Sequence, residues 1–241
     1  MNTELCLILT CTVDVRGISQ MARSNIEDRL TDYLMAFQAW LEKSNVNRFV
    51  FIENSGYDLS EFRKIAAGYV SKEVEFISFD GQDFNRELGK GYGEMLSLQQ
   101  ALQSSSMLAE VDAFIKVNGR YFVPSIGKIK DKILADYDVV CDFSRHLTYA
   151  DSRLFGGKVA FLRDYLLPAL AKTNDSEGVY FEHCLASAAH RAIADGLSWS
   201  LCPLVPIVGI SGTDNTSYNS SRLTSLKLFF KNEAKKFIYR R

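Results

Sequence analysis

The sequence predicts an α/β fold with a mainly parallel sheet flanked by helices. Two patterns predict it. Short apolar runs rich in β-branched and aromatic residues alternate with longer segments whose apolar residues recur at helical spacing. Each run is closed by small, polar or glycine residues, as strand-to-helix loops require. The 241 residues suit one α/β domain with a large core.

The elements follow in order. Residues 5–12 are apolar and read as a buried strand. Over residues 25–43, Ile26, Leu30, Tyr33, Leu34, Phe37, Trp40 and Leu41 mark one face of a helix. Residues 48–53 are a second buried strand, ended by Asn54, Ser55 and Gly56. Residues 59–68 make a short helix that Ser60 is placed to cap, with Arg63 at the capping-box position. Residues 74–79 are a third strand closed by Asp80 and Gly81, 92–108 one helix, and 113–117 a fourth strand. In the less regular second half, 139–142 and 204–210 read as strands. There, 158–171 reads as a helix stopping near Pro168, and 179–195 as a long helix. From residue 221 the chain is helical and basic.

Composition excludes several classes. The formal net charge of -1 argues against a nucleic-acid partner. No apolar run approaches the ~18–20 residues of a membrane span. Glu4 and the broken apolar run after it do not read as an export signal, so a cytoplasmic protein is expected. The five cysteines, Cys6, Cys11, Cys141, Cys184 and Cys202, are scattered through apolar runs without a C-x-x-C pair. They read as buried small hydrophobes rather than zinc or redox groups.

Ligands of open α/β sheets bind at the carboxyl ends of strands, and polar residues gather there. At the end of the fourth strand, Lys116, Asn118, Gly119, Arg120 and Tyr121 combine two cations with a tight turn, suited to a diphosphate. The glycines of Gly89-Lys90-Gly91-Tyr92-Gly93-Glu94 open a helix, where backbone N–H groups favour an anion. Glu182 and His183 begin another helix, and either suits a general base. His190 shares a face with His183, but no third ligand has matching spacing and His146 is isolated, so no metal site is expected. Residues 211–218 are small and hydroxylated, suited to a phosphate or sugar or to a plain exit loop. The tail places apolar residues on one side and cations on the other. Such a helix fits an anionic membrane surface, and equally fits docking on the domain with its cations solvated.

With these residues in view, the chain resembles bacterial glycosyltransferases that build capsule and lipopolysaccharide O-chains. Four pieces carry the resemblance: residues 10–14 followed by Arg23, Arg29 and Tyr33; Phe51-Ile52-Glu53-Asn54-Ser55-Gly56; residues 89–94 with 114–121; and Tyr180-Phe181-Glu182-His183. The resemblance implies a glycosyltransferase A-like fold. Residues 1–220 would form one domain, with a nucleotide-binding half over 1–123 and an acceptor-binding half over 124–220, and 221–241 a basic tail. It implies a nucleotide-sugar donor and a glycan acceptor, lipid-linked and at the inner membrane if the tail meets lipid. Thr10, Cys11, Thr12 and Asp14 would line the base and ribose, with Glu53 and Asn54 beside them and Gly91 near the donor.

One departure stands out. The family places Asp-x-Asp, which holds a divalent metal, where this chain has Lys116-Val117-Asn118. Cations are not metal ligands. The expectation is metal-independent transfer without a cofactor, with Arg120 and Lys116 clamping the diphosphate and Glu182 as base. Rival readings are a nucleotidyl- or sugar-phosphate transferase, for which residues 13–17 fit loosely, and a non-catalytic nucleotide- or carbohydrate-binding partner.

Overall fold

The computed structural model describes residues 4–16 and 22–239. Gly17 and the terminal Arg240 and Arg241, included in the readings above, lie outside the described residues. The strands are β1 Leu5–Cys11, β2 Arg48–Glu53, β3 Glu73–Ser78, β4 Ala113–Asn118, β5 Tyr121–Phe122, β6 Val139–Cys141, β7 Phe143–Ser144, β8 Tyr149–Ala150, β9 Leu154–Lys158, β10 Trp199–Leu201, β11 Val208–Ile210 and β12 Ser217–Tyr218. The helices are α1 Ile26–Lys43, α2 Ser60–Ala66, α3 Gly89–Ser104, α4 Ser106–Glu110, α5 Gly127–Leu134, α6 Val159–Phe161, α7 Phe181–Ala194 and α8 Arg222–Tyr239.

Seven strands form the central sheet in the order β10-β6-β9-β4-β1-β2-β3. β1, β2, β3 and β4 run parallel, while β9 is antiparallel to both β4 and β6. Side chains alternate across this sheet. Leu7 and Leu9 of β1 join Phe37, Trp40, Phe62 and Ile129, from α1, α2 and α5, in one core. Cys6 and Ile8 join Met95, Leu98, Leu108 and Leu185, from α3, α4 and α7, in the other. A small sheet, β12-β11-β5, sits at the carboxyl ends, where β5 leaves β4 directly. All five cysteines are free and buried.

Several boundaries differ from the sequence reading, each for a local reason. The Asn25 side chain accepts the Asp28 N–H and so caps α1. Ser60 is the first residue of α2 rather than its cap. The helix read over 92–108 begins at Gly89 and ends at Ser104, and the Ser105 side chain caps the separate α4 by accepting the Leu108 N–H. After α6 the backbone passes through a π turn, Leu162–Leu166, into a 3-10 stretch, Leu167–Lys172, because Pro168 has no N–H for an α ladder. Pro203 and Pro206 confine the strand read over 204–210 to β11, which pairs antiparallel with β5 outside the main sheet. β9 carries no strand pattern in the sequence, because Gly156 and Gly157 interrupt its apolar run. They are needed there: a Cβ at Gly156 would stand 2.5 Å from the Phe114 carbonyl oxygen, and at Gly157 2.1 Å from that of Asp138.

Candidate active site

The chain moves from β1 to β2 and β3 on one side, then returns to β4 on the other. The loops leaving β1 and β4 therefore diverge and open a crevice at their carboxyl ends. A cavity of ≈ 550 Å³ occupies this position. Thr10 and Thr12 reach it from β1, Asn54 from β2, Asn118, Arg120 and Tyr121 from β4 and β5, and Glu182 from the start of α7. The loop after β11 contributes Ser211, Gly212, Thr213 and Asp214.

The turn after β4 aims Arg120. The Gly119 N–H donates to the Thr10 carbonyl at 2.8 Å, and a Cβ on residue 119 would lie 2.9 Å from that oxygen. Glycine thus keeps β1 and β4 together one residue beyond their ladder. Arg120 is 5% exposed. Its guanidinium carbon lies 5.6 Å from the centre of the Tyr33 ring. Its Nε and Nη1 are buried and have no hydrogen-bond partner among the described residues. A buried charged donor left unpaired is costly, and an anion brought to this guanidinium would offset that cost. Arg29, also buried, donates to the carbonyl oxygens of Thr12, Val13 and Arg23. Burial, then the nearby Arg120 charge, lowers its pKa.

Lys116 stands elsewhere. It points to the α3 face of the sheet, is fully buried, and forms an ion pair with Glu94 of α3. Its Nζ also donates to the Ser152 carbonyl at 2.7 Å and lies 5.8 and 5.6 Å from the ring centres of Phe155 and Phe181. Thr10 Oγ1 donates to the same Glu94 carboxylate at 3.0 Å. Glu94 lines the cavity and Lys116 does not, so the ammonium is beneath the floor and does not clamp a ligand there.

Glu182 is held by two donors. Ser152 Oγ donates to its Oε1 at 2.6 Å, and the Tyr149 phenol bonds the same carboxylate. Burial, reinforced by the Glu182 charge, pushes the Tyr149 phenol up to about 12, so it remains a donor at neutral pH. The Arg145 guanidinium covers the Tyr149 ring at 4.3 Å.

Six other predicted residues do not line the cavity. The His183 Nδ1 accepts the Tyr180 N–H at 3.2 Å, and its ring packs on Tyr180 and Tyr149, so it shapes the helix start. The buried Glu53 carboxylate accepts N–H groups of Val13, Ser55 and Tyr57 at 3.0, 2.9 and 2.8 Å, which fixes the loops after β1 and β2 from beneath. Asp14 accepts the Arg16 N–H at 2.9 Å. Cys11 is buried toward α1. Gly119 serves the turn already described. Gly91 lies under the protein's own anion: the Asp175 carboxylate would meet a Cβ at Gly91 at 3.3 Å and one at Gly89 at 2.0 Å. The glycine-rich start of α3 is thereby filled by a side chain rather than held open for a phosphate.

Sequence reasoning did not assign Glu94, Tyr149, Ser152 or Lys90 a place in the site. Lys90 Nζ donates to Thr213 Oγ1 at 2.7 Å and ties α3 to the loop after β11. Tyr149 begins β8, a two-residue strand too short to leave a periodic signal, and Ser152 follows it.

No protein-family model matches the sequence, and no curated protein matches it. Solved structures similar to it include nucleotide-sugar transferases and nucleotidyltransferases. A protein of Desulfovibrio desulfuricans described as a nucleotide-diphospho-sugar transferase has a TM-score of 0.48 and 10% identity, covering 83% of this chain and 79% of that one. The inositol-1-phosphate CTP transferase of T. maritima has a TM-score of 0.47 and 13% identity, covering 95% and 96%. A mannosyltransferase of Pyrobaculum calidifontis, solved with GDP-mannose and manganese, has a TM-score of 0.46 and 10% identity, covering 84% of this chain and 55% of that one.

Proposed function

We propose that the chain is a glycosyltransferase that takes a sugar from a nucleoside-diphosphate donor in this cavity, in the assembly of a bacterial surface glycan. The observation that carries the reading is the buried guanidinium of Arg120, a residue that lines the polar cavity and whose Nε and Nη1 have no partner among the described residues. A diphosphate supplies the negative charge and the paired oxygens that such a planar fork binds. The surface-glycan context rests on the sequence resemblance alone.

A divalent cation does not fit the end of β4. Lys116 is committed to Glu94, and the Asn118 Oδ1 accepts the Arg120 N–H at 3.3 Å. Among the described residues, no group of three His, Cys, Asp or Glu side chains converges. In the proposed reaction, an acceptor hydroxyl oxygen attacks the anomeric carbon and its proton passes to the Glu182 carboxylate. The bond to the diphosphate breaks, its electron pair remains on the departing oxygen, and Arg120 stabilises that charge. Ser152 and Tyr149 keep the carboxylate oriented.

Thermal denaturation with UDP, GDP, CMP, TDP and ADP, in chelator and with manganese, tests the reading. One nucleotide raises the midpoint in chelator, with ~2.7 kcal/mol expected at a hundredfold excess over its Kd. A shift that requires manganese overturns the metal-free clamp, and no shift with any of them overturns the nucleotide site. Release of a nucleoside diphosphate rather than pyrophosphate then distinguishes glycosyl from nucleotidyl transfer.

A further inference from the structure

Helix α8 is polar where it docks and apolar where it faces out. Asn232 brackets Leu204, its Oδ1 accepting the N–H at 2.7 Å and its Nδ2 donating to the carbonyl at 2.8 Å. Lys235 Nζ lies 2.7 Å from Asp142 Oδ2, and Tyr239 meets Trp199 edge-on at 5.5 Å. Together with Thr224 and Leu228, these half-buried residues recur at helical spacing and form one stripe against the body. At ~3.6 residues per turn, Leu223, Leu226 and Phe230 fall on the opposite side. They are 72%, 54% and 64% exposed, and Phe229 beside them is 56% exposed. Lys227 and Lys231 border this apolar strip on one side and Lys236 on the other, all exposed.

Docking through the polar stripe leaves the apolar strip with no role in the core. A contiguous apolar strip of this kind on a soluble surface marks an interaction site. We propose that it docks the protein on an anionic lipid bilayer. The apolar side chains enter the acyl boundary, while the lysines extend to the headgroups. The flanking charges select this occupant over a second copy of the chain. Glu233 is the sole acid of α8 and already pairs with Lys236 at 2.7 Å, so a two-fold pairing of this face would set lysines against lysines. Beneath α8, a groove of ≈ 200 Å³ shares Arg153 and Tyr218 with the main cavity. On the glycosyltransferase reading, a lipid-carried acceptor at this surface would be adjacent to the cavity.

Co-sedimentation of the full chain with vesicles tests the proposal. Phosphatidylglycerol–phosphatidylcholine vesicles should pellet the protein, less so as salt rises, and phosphatidylcholine alone should not. Leu226→Glu and Phe230→Glu should each weaken binding by ~10-fold or more, with the thermal midpoint and its shift by nucleotide unchanged. No binding to anionic vesicles, or equal binding by wild type and both variants, overturns the proposal. A lipid-free dimer that Leu226→Glu dissociates also overturns it, assigning the face to a second copy. Nucleotide binding is read separately, so failure at the membrane leaves the nucleotide site standing, and the converse.

Discussion

A Cβ on residue 212 would stand 2.3 Å from both Nη1 and Nη2 of Arg120. These two residues are distant in sequence but locked in register. β5 follows Arg120 directly and pairs Tyr121 with Gly209, which places the loop after β11 against the guanidinium. The Gly212 carbonyl also accepts the Arg23 N–H at 3.1 Å, so the loop has little room to retreat. Gly212→Ala is therefore expected to displace the guanidinium rather than the loop. Isothermal titration should show nucleoside-diphosphate affinity falling by ~10-fold, and Arg120→Ala by ~100-fold, the loss of one or two charge-assisted hydrogen bonds. Unchanged affinity in Arg120→Ala would remove the diphosphate assignment.

Lys116 and Arg120 stand four residues apart in sequence, yet the structure gives them opposite tasks. Lys116 neutralises Glu94 below the floor, and Arg120 lines the cavity. Lys116→Met should lower stability by roughly 2 kcal/mol in urea unfolding, below the usual cost of a broken buried pair because Glu94 can hydrate from the cavity. Nucleotide affinity of the folded variant should change by less than ~3-fold, about the ±0.5 kcal/mol expected of a change that touches no ligand contact. A loss as large as that of Arg120→Ala would return Lys116 to the clamp.

This division was not legible in the sequence. The mainly parallel sheet, the polar residues gathered at its carboxyl ends and the reach of Arg120 follow from alternating apolar runs and one glycine turn, all local signals. Whether a cation meets a ligand or an internal acid depends on which helix packs over it. Glu94 meets Lys116 only because α3 crosses that face of β4, and no spacing in the chain encodes this. For the same reason the glycine-rich start of α3 resembled an anion site: its occupant, Asp175, arrives from a distant 3-10 turn.

The donors on Glu182 lead to a kinetic prediction. Ser152 and Tyr149 both bond the carboxylate and so fix its orientation. Removing either in Ser152→Ala or Tyr149→Phe should loosen the carboxylate's orientation and lower kcat by ~10-fold, about the loss of one hydrogen bond to a charged group. Glu182→Gln should lower kcat by ~100-fold or more with nucleotide affinity retained. Near-normal turnover by a folded Glu182→Gln protein would move the base elsewhere.

Glu75 links stability to pH. Its carboxylate, on β3, accepts the N–H groups of Ser106 and Met107 at 2.9 and 3.1 Å and thereby caps the start of α4. Burial raises its pKa, but hydrogen bonds from Ser105, Met107 and Ser106 outweigh that and leave it below the ordinary glutamate value. A depressed carboxylate stabilises the fold above its unfolded pKa of ~4.3, and that contribution disappears as pH falls through the folded value. Glu75→Gln should therefore cost about 1 kcal/mol at pH 7 in urea unfolding, within the range of a lost helix cap. Below the folded value both side chains are neutral, so wild type and variant should converge as the pH falls through it. A difference that stays constant across this range would mean that the cap acts through shape rather than charge.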